Sequence, residues 1–271
     1  MPDRVMRVET VAGIQARTSS SRLPRKVLAD LAGKTLIERV VERVRRADLV
    51  DEVVVLTSTD ESDDELALLL EARRIPVRRG SLGDVLWRYG ALLEEFEPRF
   101  VVRVTGDCPL VEPDFIDLQL GALCALDGDF VQVASVDPAP IEGTLGGQAA
   151  LSARALRQAL ASDDPRDREH AGSFFFRAHP ERFRHVEIEV DRRYHQKGLR
   201  LSVDEAADLA LVRRIYEVFG NRPFSTLEAL AWLEAAPEVR SLNGAVRESA
   251  DNQALRALSR ARPVKTVGTW P

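Results

Sequence analysis

Short apolar runs alternate with amphipathic stretches through the first half of the chain, and this alternation constrains the fold more than any other feature. The continuous run Val53–Leu56 is typical of a strand buried on both faces. The stretch that precedes it carries Leu36, Ile37, Val40 and Val44 at helical spacing. Strands and helices that alternate with short connections predict βαβ units, and therefore an α/β fold with a mostly parallel sheet and helices on both faces.

The pattern also predicts where the individual elements lie. In the first half the predicted strands are 8–14, 52–58, 75–79, 100–104 and 129–135, and the predicted helices are 35–46, 63–73, 83–96 and 113–125. The second half is less regular. It is predicted to contain a loop at 138–147, strands at 184–190 and 199–203, and helices at 152–161, 166–178, 205–219 and 225–235.

Composition and charge narrow the class of protein. The chain of 271 residues has a formal net charge of −5, which disfavours a general nucleic-acid binder. No apolar run approaches the roughly 20 residues of a membrane span, and the N-terminus lacks the apolar core of a signal peptide, so we expect a cytoplasmic location and no membrane partner. Cys108 and Cys124 lack metal-ligand spacing and are not expected to form a bridge.

Four polar segments follow the predicted parallel strands, where α/β sheets bind their ligands. They are 15–26, 57–60, 79–84 and 105–109. The first is the richest, with three serines, one threonine and four cationic residues between Ile14 and Lys26. Backbone N–H groups, hydroxyls and cations of this kind can bind a triphosphate. The loop lacks the Gly-Lys-Ser/Thr ending of a Walker A loop. The alternative interpretation is a solvated basic turn.

Two aspartates that follow predicted strands are candidate metal ligands. Asp107 lies between Gly106 and Cys108 after the fourth strand, and Asp204 directly follows the predicted strand 199–203. Mg²⁺ is commonly bound by one or two carboxylates together with substrate phosphates, so the pair is compatible with a shared site. Asp107 could instead be a turn residue, and Asp204 could instead be the N-cap of the next helix.

A third charged segment, Asp164–His170, precedes three consecutive phenylalanines. A histidine beside a glutamate is more often a surface or packing residue than a ligand. The alternative is that this segment contacts an acceptor substrate.

These segments resemble the CMP-sugar-acid synthetases, the acylneuraminate and 3-deoxyoctulosonate cytidylyltransferases, and most closely the branch named for spore-coat polysaccharide biosynthesis. The matching stretches are 14–28, 79–89, 102–113, 164–183 and 201–219. The resemblance implies a Rossmann-like nucleotidyltransferase fold, CTP as the nucleotide substrate, Mg²⁺ as the cofactor and pyrophosphate as the by-product. It also implies a small acidic, sugar-like acceptor and a homodimer.

The resemblance assigns roles to particular residues. Arg17, Arg22 and Lys26 would hold the triphosphate, Asp107 and Asp204 would bind the metal, and Arg17, Lys26, Asp107 and Asp204 would form the catalytic set. The cytidine pocket would be lined by the loops that contain Ala16, Thr57, Ser58, Arg79, Gly80 and Ser81. Ser20, Asp84 and Thr105 complete the expected nucleotide-binding set.

The resemblance also implies how the chain is organised. We expect one nucleotidyltransferase domain over residues 1–250, with a nucleotide-binding half at 1–136 and an acceptor and dimerisation half at 137–250. Residues 251–271 would form a C-terminal tail, either disordered or docked on a partner subunit.

Two departures from the pattern leave the acceptor open. Relatives in this branch commonly carry an acid pair where this chain has Glu142–Gln148, and commonly have glycine where this chain has Arg25. The missing acid pair leaves a sugar acid, a sugar phosphate and a phosphonate as alternative acceptors, and loss of activity as a further alternative. A glycosyltransferase-like enzyme is disfavoured because Gly106-Asp107-Cys108 replaces the Asp-x-Asp motif of that class. A non-catalytic nucleotide-binding relative is the remaining alternative.

Overall fold

The computed structural model describes residues 8–133, 141, 144, 148–196, 198–247, 253–255 and 266–269. The strands are β1 (Thr10–Gln15), β2 (Glu52–Ser58), β3 (Val77–Gly80), β4 (Phe100–Thr105), β5 (Phe130–Val133), β6 (Gln148–Ser152), β7 (His185–Glu189) and β8 (Thr266–Thr269). The helices are α1 (Leu36–Val44), α2 (Asp64–Ala72), α3 (Val85–Phe96), α4 (Pro113–Leu126), α5 (Ala153–Ala159), α6 (Pro165–Glu169), α7 (Ser173–Ala178), α8 (Ala206–Phe219), α9 (Thr226–Glu234) and α10 (Pro237–Arg240).

The strands form one sheet in the order β3-β2-β1-β4-β6-β5-β7-β8. β6 is antiparallel to both β4 and β5, and every other neighbouring pair is parallel. Gln15 at the end of β1 is in register with Leu56 of β2 and Thr105 of β4. The carboxyl ends of these three strands therefore meet at one edge of the sheet, and the predicted mostly parallel α/β fold is confirmed.

Helices cover both faces of this sheet. On one face α1, α4 and α8 contribute Ile37, Phe115 and Leu211 to an apolar core. On the other face Tyr89 of α3 and Phe176 of α7 belong to a second core. Because β1 alternates between the two cores, its apolar run is buried on both sides, as expected for a central parallel strand.

Local sequence signals explain where several helices begin. Thr35 and Glu38 form a capping box at the start of α1, and Ser225 and Glu228 form another at α9. Each box pairs two backbone N–H groups that the helix itself leaves without partners. Pro113 occupies the first turn of α4, where its missing N–H costs nothing.

Three sequence-based element predictions were wrong. β6 was missed, because Gln148-Ala149-Ala150-Leu151 lacks β-branched residues and merges with the helical pattern that follows. The helix predicted at 166–178 is two helices, α6 and α7, separated by Ala171 and Gly172 at φ +51° and +76°. A helix cannot continue through two left-handed residues.

The strand predicted at 199–203 is also wrong. All five residues of this stretch are buried, so the strand-like run reflects burial rather than a place among the strands of the sheet. This extended stretch lies against the end of β4, where the Val203 N–H donates to the carbonyl oxygen of Asp107 at 2.8 Å.

Two other predictions concern the C-terminal tail and the loop at 138–147, which are only partly described. In the tail, β8 pairs in parallel with β7 of the same chain, so these four residues are part of the sheet. Most of the loop predicted at 138–147 lies outside the described residues, and the division into two halves stays a prediction. Within the described part of the chain, no helix combines the length and apolarity needed to cross a membrane.

The packing around Gly13 of β1 yields a stability prediction. A Cβ at Gly13 would lie 2.6 Å from Tyr89 Cε1 and 3.0 Å from Leu56 Cδ1. We expect Gly13→Ala to lower the free energy of unfolding by about 1–3 kcal/mol, because overpacking forces these side chains to move. Gly121→Ala in α4 is the matched control, since no atom lies within 4 Å of its added Cβ. Urea unfolding that shows equal stability for the two variants would contradict this packing argument.

Candidate active site

The loop that follows β1 lies directly against the end of β4. The Gly106 N–H donates to the carbonyl oxygen of Gln15 at 2.8 Å. A Cβ at Gly106 would lie 2.8 Å from that oxygen and 2.9 Å from Ala16 Cβ, so only glycine permits this approach. The two strongest sequence motifs, the basic loop and the Gly106-Asp107 turn, are therefore adjacent.

Lys26 is the centre of the polar cluster at this edge. Its side chain is almost fully buried, and its Nζ lies 2.8 Å from Asp107 Oδ2 and 2.8 Å from Asp204 Oδ1. Lys26 begins a single 3₁₀ turn after the basic loop, whereas Asp107 follows β4 and Asp204 precedes α8. Three segments that are distant in sequence thus meet through one ammonium group.

The charges of this cluster stabilise one another. Burial opposes the charge of Lys26, but the adjacent carboxylates outweigh it and raise the pKa of its ammonium. Burial likewise opposes ionisation of Asp107, but Lys26 and hydrogen bonds from Thr105 and Cys108 hold the pKa of its carboxyl below the ordinary value. Lys26 and Asp107 are therefore both charged near neutral pH.

Asp204 is not the N-cap of α8, so the alternative interpretation of this residue was wrong. The cap is Glu205, which forms a capping box with Asp208. The carboxylate of Asp204 instead accepts hydrogen bonds from Lys26 and Arg200 and pairs with Arg22 Nη2 at 2.9 Å. The expected proximity of Arg22, Lys26, Asp107 and Asp204 is present in the structure.

Asp63 fastens the basic loop to the end of β2. Its Oδ1 accepts hydrogen bonds from Thr18 N at 2.7 Å and Thr18 Oγ1 at 2.9 Å, and its Oδ2 accepts from the N–H and hydroxyl of Ser58. Thr18 Oγ1 also donates to the carbonyl oxygen of Ser62. The loop therefore has a fixed path between the two strands.

The expected cytidine-pocket residues lie around this anchored loop. Ala16 is buried and donates its N–H to the carbonyl oxygen of Leu56 at 3.0 Å. Thr57 is fully buried, and its hydroxyl has no hydrogen-bond partner within the described part of the chain. The Ser58 hydroxyl donates to Asp63, so this side chain positions the loop.

The second expected pocket segment, at the end of β3, is held from both sides. Arg79 Nε donates to the carbonyl oxygen of Ser58 at 2.7 Å. A Cβ at Gly80 would lie 2.6 Å from the Trp87 ring, so glycine is required by this close contact. Ser81 is exposed, and Asp84 is the N-cap of α3 through the N–H of Trp87.

The remaining predicted residues have different surroundings. Ser20 donates its N–H to the carbonyl oxygen of Thr18 at 2.9 Å, within the basic loop. Thr105 Oγ1 lies 3.0 Å from Cys108 Sγ, beside Asp107. Arg17 is set apart from Lys26: its guanidinium pairs with Glu169 at 3.3 Å. The structure therefore joins Arg22 and Lys26 to the carboxylates and places Arg17 toward α6.

The charged segment Asp164–His170 contacts the first half of the chain. Besides the Glu169 contact with Arg17, Arg168 Nη1 lies 3.2 Å from Asp84 Oδ2. The His170 ring packs edge-on against Phe174 with centroids 5.5 Å apart. The helix α6 is thus located at the rim of the site rather than on a remote surface.

Four residues of the site were missed in the sequence: Asp63, Arg88, Arg200 and Asp208. Arg88 is buried under Gly80 and donates to the carbonyl oxygen of Leu56 at 3.0 Å. The spacing of four between Arg200, Asp204 and Asp208 was not a usable signal, because Arg200 and Asp204 lie in an extended stretch before α8 rather than on one helix. Asp63 carried no signal either, since its partner Thr18 is 45 residues away.

The two departures from the family pattern have different outcomes. Arg25 adopts φ +62°, a left-handed conformation that explains why glycine is frequent there, and its guanidinium pairs with Glu65. Within the stretch Glu142–Gln148 only the backbone of Gln148 and residue Thr144 are described.

Asp107 and Asp204 fit a divalent cation that is shared with a bound phosphate. Among the described residues, no group of three His, Cys, Asp or Glu side chains is arranged to hold a metal ion. Mg²⁺, however, usually binds through one or two carboxylates and completes its shell with substrate phosphates and water. Both carboxylates contact the same ammonium, so they lie close enough to share one cation.

Comparisons with known proteins show which proteins this chain is similar to. A family model described as cytidylyltransferase matches residues 11–234. The spore coat polysaccharide biosynthesis protein SpsF of Bacillus subtilis (strain 168) is 31% identical over 230 residues, 83% of this chain and 94% of that protein. The 3-deoxy-manno-octulosonate cytidylyltransferase of Anaeromyxobacter sp. (strain K) is 41% identical over 113 residues, 41% of this chain and 45% of that enzyme.

A solved structure shows the same fold. A cytidylyltransferase from Leptospira borgpetersenii serovar Hardjo-bovis (strain JB197) superposes with a TM-score of 0.78 at 23% identity, covering 86% of this chain and 97% of that chain.

The contacts of Asp63 yield a pH-dependent prediction. Burial opposes its ionisation, but hydrogen bonds from Ser58 and Thr18 outweigh it and hold its pKa below the ordinary value. Its stabilisation is therefore complete above the unfolded pKa of about 3.9 and is lost as the pH falls through the lower folded pKa. We expect Asp63→Asn to lower the free energy of unfolding by about 2 kcal/mol at pH 7.

The difference in the free energy of unfolding between wild type and Asp63→Asn should shrink as the pH falls below about 4. Urea unfolding between pH 7 and pH 3 measures it, with Glu71→Gln at an exposed position of α2 as the control. A difference that does not change with pH would show that the charge of Asp63 does not stabilise the loop.

Proposed function

The chain belongs to the cytidylyltransferase family, and we propose that Arg22, Lys26, Asp107 and Asp204 form the site where it transfers CMP from CTP to a small anionic acceptor. The observation that carries this proposal is the contact of Lys26 with both aspartates. Basic and acidic groups are concentrated at the carboxyl ends of parallel strands, the usual ligand-binding edge of such a sheet.

The reaction needs positioning and charge neutralisation more than covalent chemistry by the protein. An acceptor oxygen attacks the α-phosphorus of CTP, the bond from that phosphorus to the bridging oxygen breaks, and pyrophosphate leaves. Arg22 and Lys26 would bind phosphate oxygens and oppose the charge that grows on the departing pyrophosphate. Preorganised contacts of this kind hold the reacting atoms in line.

Asp107 and Asp204 are the residues that would hold Mg²⁺ beside the triphosphate. The bound cation would supply Lewis-acid stabilisation of the phosphate charge. Lys26 neutralises part of the charge of the two carboxylates. The basic loop would contribute Arg17, Ser20 and its backbone N–H groups to triphosphate binding.

The cytidine would occupy the space between the basic loop and the ends of β2 and β3. Ala16, Thr57 and Ser58 would form one wall, and Arg79, Gly80, Ser81 and Asp84 would form the other. Thr105 supports Asp107 through its hydroxyl. The contacts of Asp63 with Thr18 and Ser58 hold the basic loop against the end of β2.

The acceptor would approach from the side of α6, because Glu169 and Arg168 contact the rim residues Arg17 and Asp84. A sugar acid is the first choice of acceptor, since one relative is a 3-deoxy-manno-octulosonate cytidylyltransferase. Sugar phosphates and phosphonates present similar anionic groups. A homodimer and a cytoplasmic location complete the proposal.

Pyrophosphate release tests the proposed reaction. Each of the four nucleoside triphosphates is supplied with MgCl₂ and a panel of sugar acids, sugar phosphates and phosphonates. We expect release with CTP and one class of acceptor, and none after removal of divalent cations by EDTA. Turnover that prefers another nucleotide, or that persists in EDTA, would contradict the proposal. Tight CTP binding without release would exclude the tested acceptors only.

The role of Asp107 predicts a large kinetic effect. We expect Asp107→Asn to lower kcat by about 10²–10³-fold, the magnitude typical of losing one preorganised electrostatic contact. Asp48→Asn, at an exposed position away from the strand ends, is the control and should be unchanged. A kcat for Asp107→Asn within about twofold of wild type, with the thermal midpoint unchanged, would remove Asp107 from the reaction.

A further inference from the structure

The two oxygens of Asp204 face different partners. Oδ1 lies 2.8 Å from Lys26 Nζ and 2.9 Å from Arg22 Nη2, the groups on the side of the proposed triphosphate site. Oδ2 accepts a hydrogen bond from Arg200 Nη2 on the other side. Arg200 is 7% exposed and is reached from within the protein rather than from the site.

Arg200 is itself held in place by a buried network. Its Nη2 also donates to Ser202 Oγ at 3.0 Å, and its Nε lies 3.8 Å from Asp208 Oδ1. Asn243 Nδ2 donates to the carbonyl oxygen of Arg200 at 2.9 Å and to Asp208 Oδ1 at 2.8 Å. Both the backbone and the guanidinium of Arg200 are therefore held in place.

The same network fixes the backbone of Asp204. Asp208 Oδ2 accepts hydrogen bonds from the N–H groups of Asp204 and Glu205, both at 3.0 Å. Because backbone and side chain are both restrained, the carboxylate of Asp204 has one orientation. If Arg200 only neutralised the charge of Asp204, it would not need to contact one particular oxygen of the carboxylate.

From these contacts we propose that Arg200 is a positioning residue for the reaction, a role that rests on the proposed function of Asp204. Arg200 reserves Oδ2, so that a cation in the site would bind Oδ1, in exchange for the contacts that Lys26 and Arg22 make with that oxygen. Single-oxygen coordination leaves room for phosphate and water in the octahedral shell that Mg²⁺ requires. Ca²⁺, by contrast, readily accepts two oxygens of one carboxylate and a larger shell.

Removing the guanidinium should therefore change the choice of cation. In Arg200→Met both oxygens of Asp204 become available, so we expect at least a tenfold rise in the Mg²⁺ concentration for half-maximal turnover of CTP. Ca²⁺ should also inhibit Mg²⁺-supported turnover at a concentration at least fivefold lower than in wild type. Arg200→Lys can still donate one hydrogen bond to Oδ2. Its Mg²⁺ requirement and its sensitivity to Ca²⁺ should therefore lie between those of wild type and Arg200→Met.

Cation binding without turnover provides a second readout. Calorimetric titration of the nucleotide-free protein with CaCl₂ and with MgCl₂ measures the ratio of the two affinities, which we expect to shift toward Ca²⁺ in Arg200→Met. Thermal midpoints establish that each variant is folded. If Arg200→Met does not fold, Arg200→Lys carries the same comparison. Arg240→Lys is the matched control, because Arg240 donates to Gln196 Oε1 at 2.9 Å and not to Asp204.

The outcomes separate this inference from the function it rests on. One outcome is that wild type turns over CTP with Mg²⁺ while the Arg200 variants have the same Mg²⁺ requirement and the same sensitivity to Ca²⁺ as wild type. In that case Arg200 is structural and the inference is wrong. If wild type shows no dependence on a divalent cation, the proposed function fails and the inference fails with it. A lower thermal midpoint alone, with unchanged cation preference, also overturns the inference.

Discussion

The contact of one ammonium group with two carboxylates is the interaction on which the site depends. Lys26 is 81 residues from Asp107 and 178 residues from Asp204. Each charge would be costly if it were buried alone, because the low dielectric of the interior penalises an unpaired ion. The basic loop, the end of β4 and the start of α8 must therefore come together as a unit, and the positions of the surrounding elements follow from this requirement.

Local contacts at each contributing segment bring these parts of the chain together. Gly106 permits backbone contact between β1 and β4, Asp63 ties the loop to β2, and the Val203 N–H binds the carbonyl oxygen of Asp107. None of these contacts takes part in chemistry. Together they remove the conformational freedom that a loop rich in serine and arginine would otherwise retain, so that little ordering is left for the moment of binding.

Much of this arrangement was predictable from the sequence, because periodicity and strand ends are local signals. The central parallel strands, most helices and the candidate residues Lys26, Asp107 and Asp204 follow from patterns within a few residues. The antiparallel strand β6 and the extended stretch 199–203 did not, because strand pairing is a non-local property. The partners of Asp63 and Arg200 were equally inaccessible, since a side chain does not disclose which distant group it will contact.

The long separation between Lys26 and Asp204 has a consequence for synthesis of the chain. The β1–β4 part of the sheet leaves the ribosome well before Asp204 does, and contacts between distant residues form late because loop closure must precede them. During this interval the two cations Arg22 and Lys26 have only the carboxylate of Asp107 beside them in the cluster. The incomplete centre thus carries excess positive charge, and it reaches electrostatic balance only when Asp204, at the start of α8, reaches the cluster.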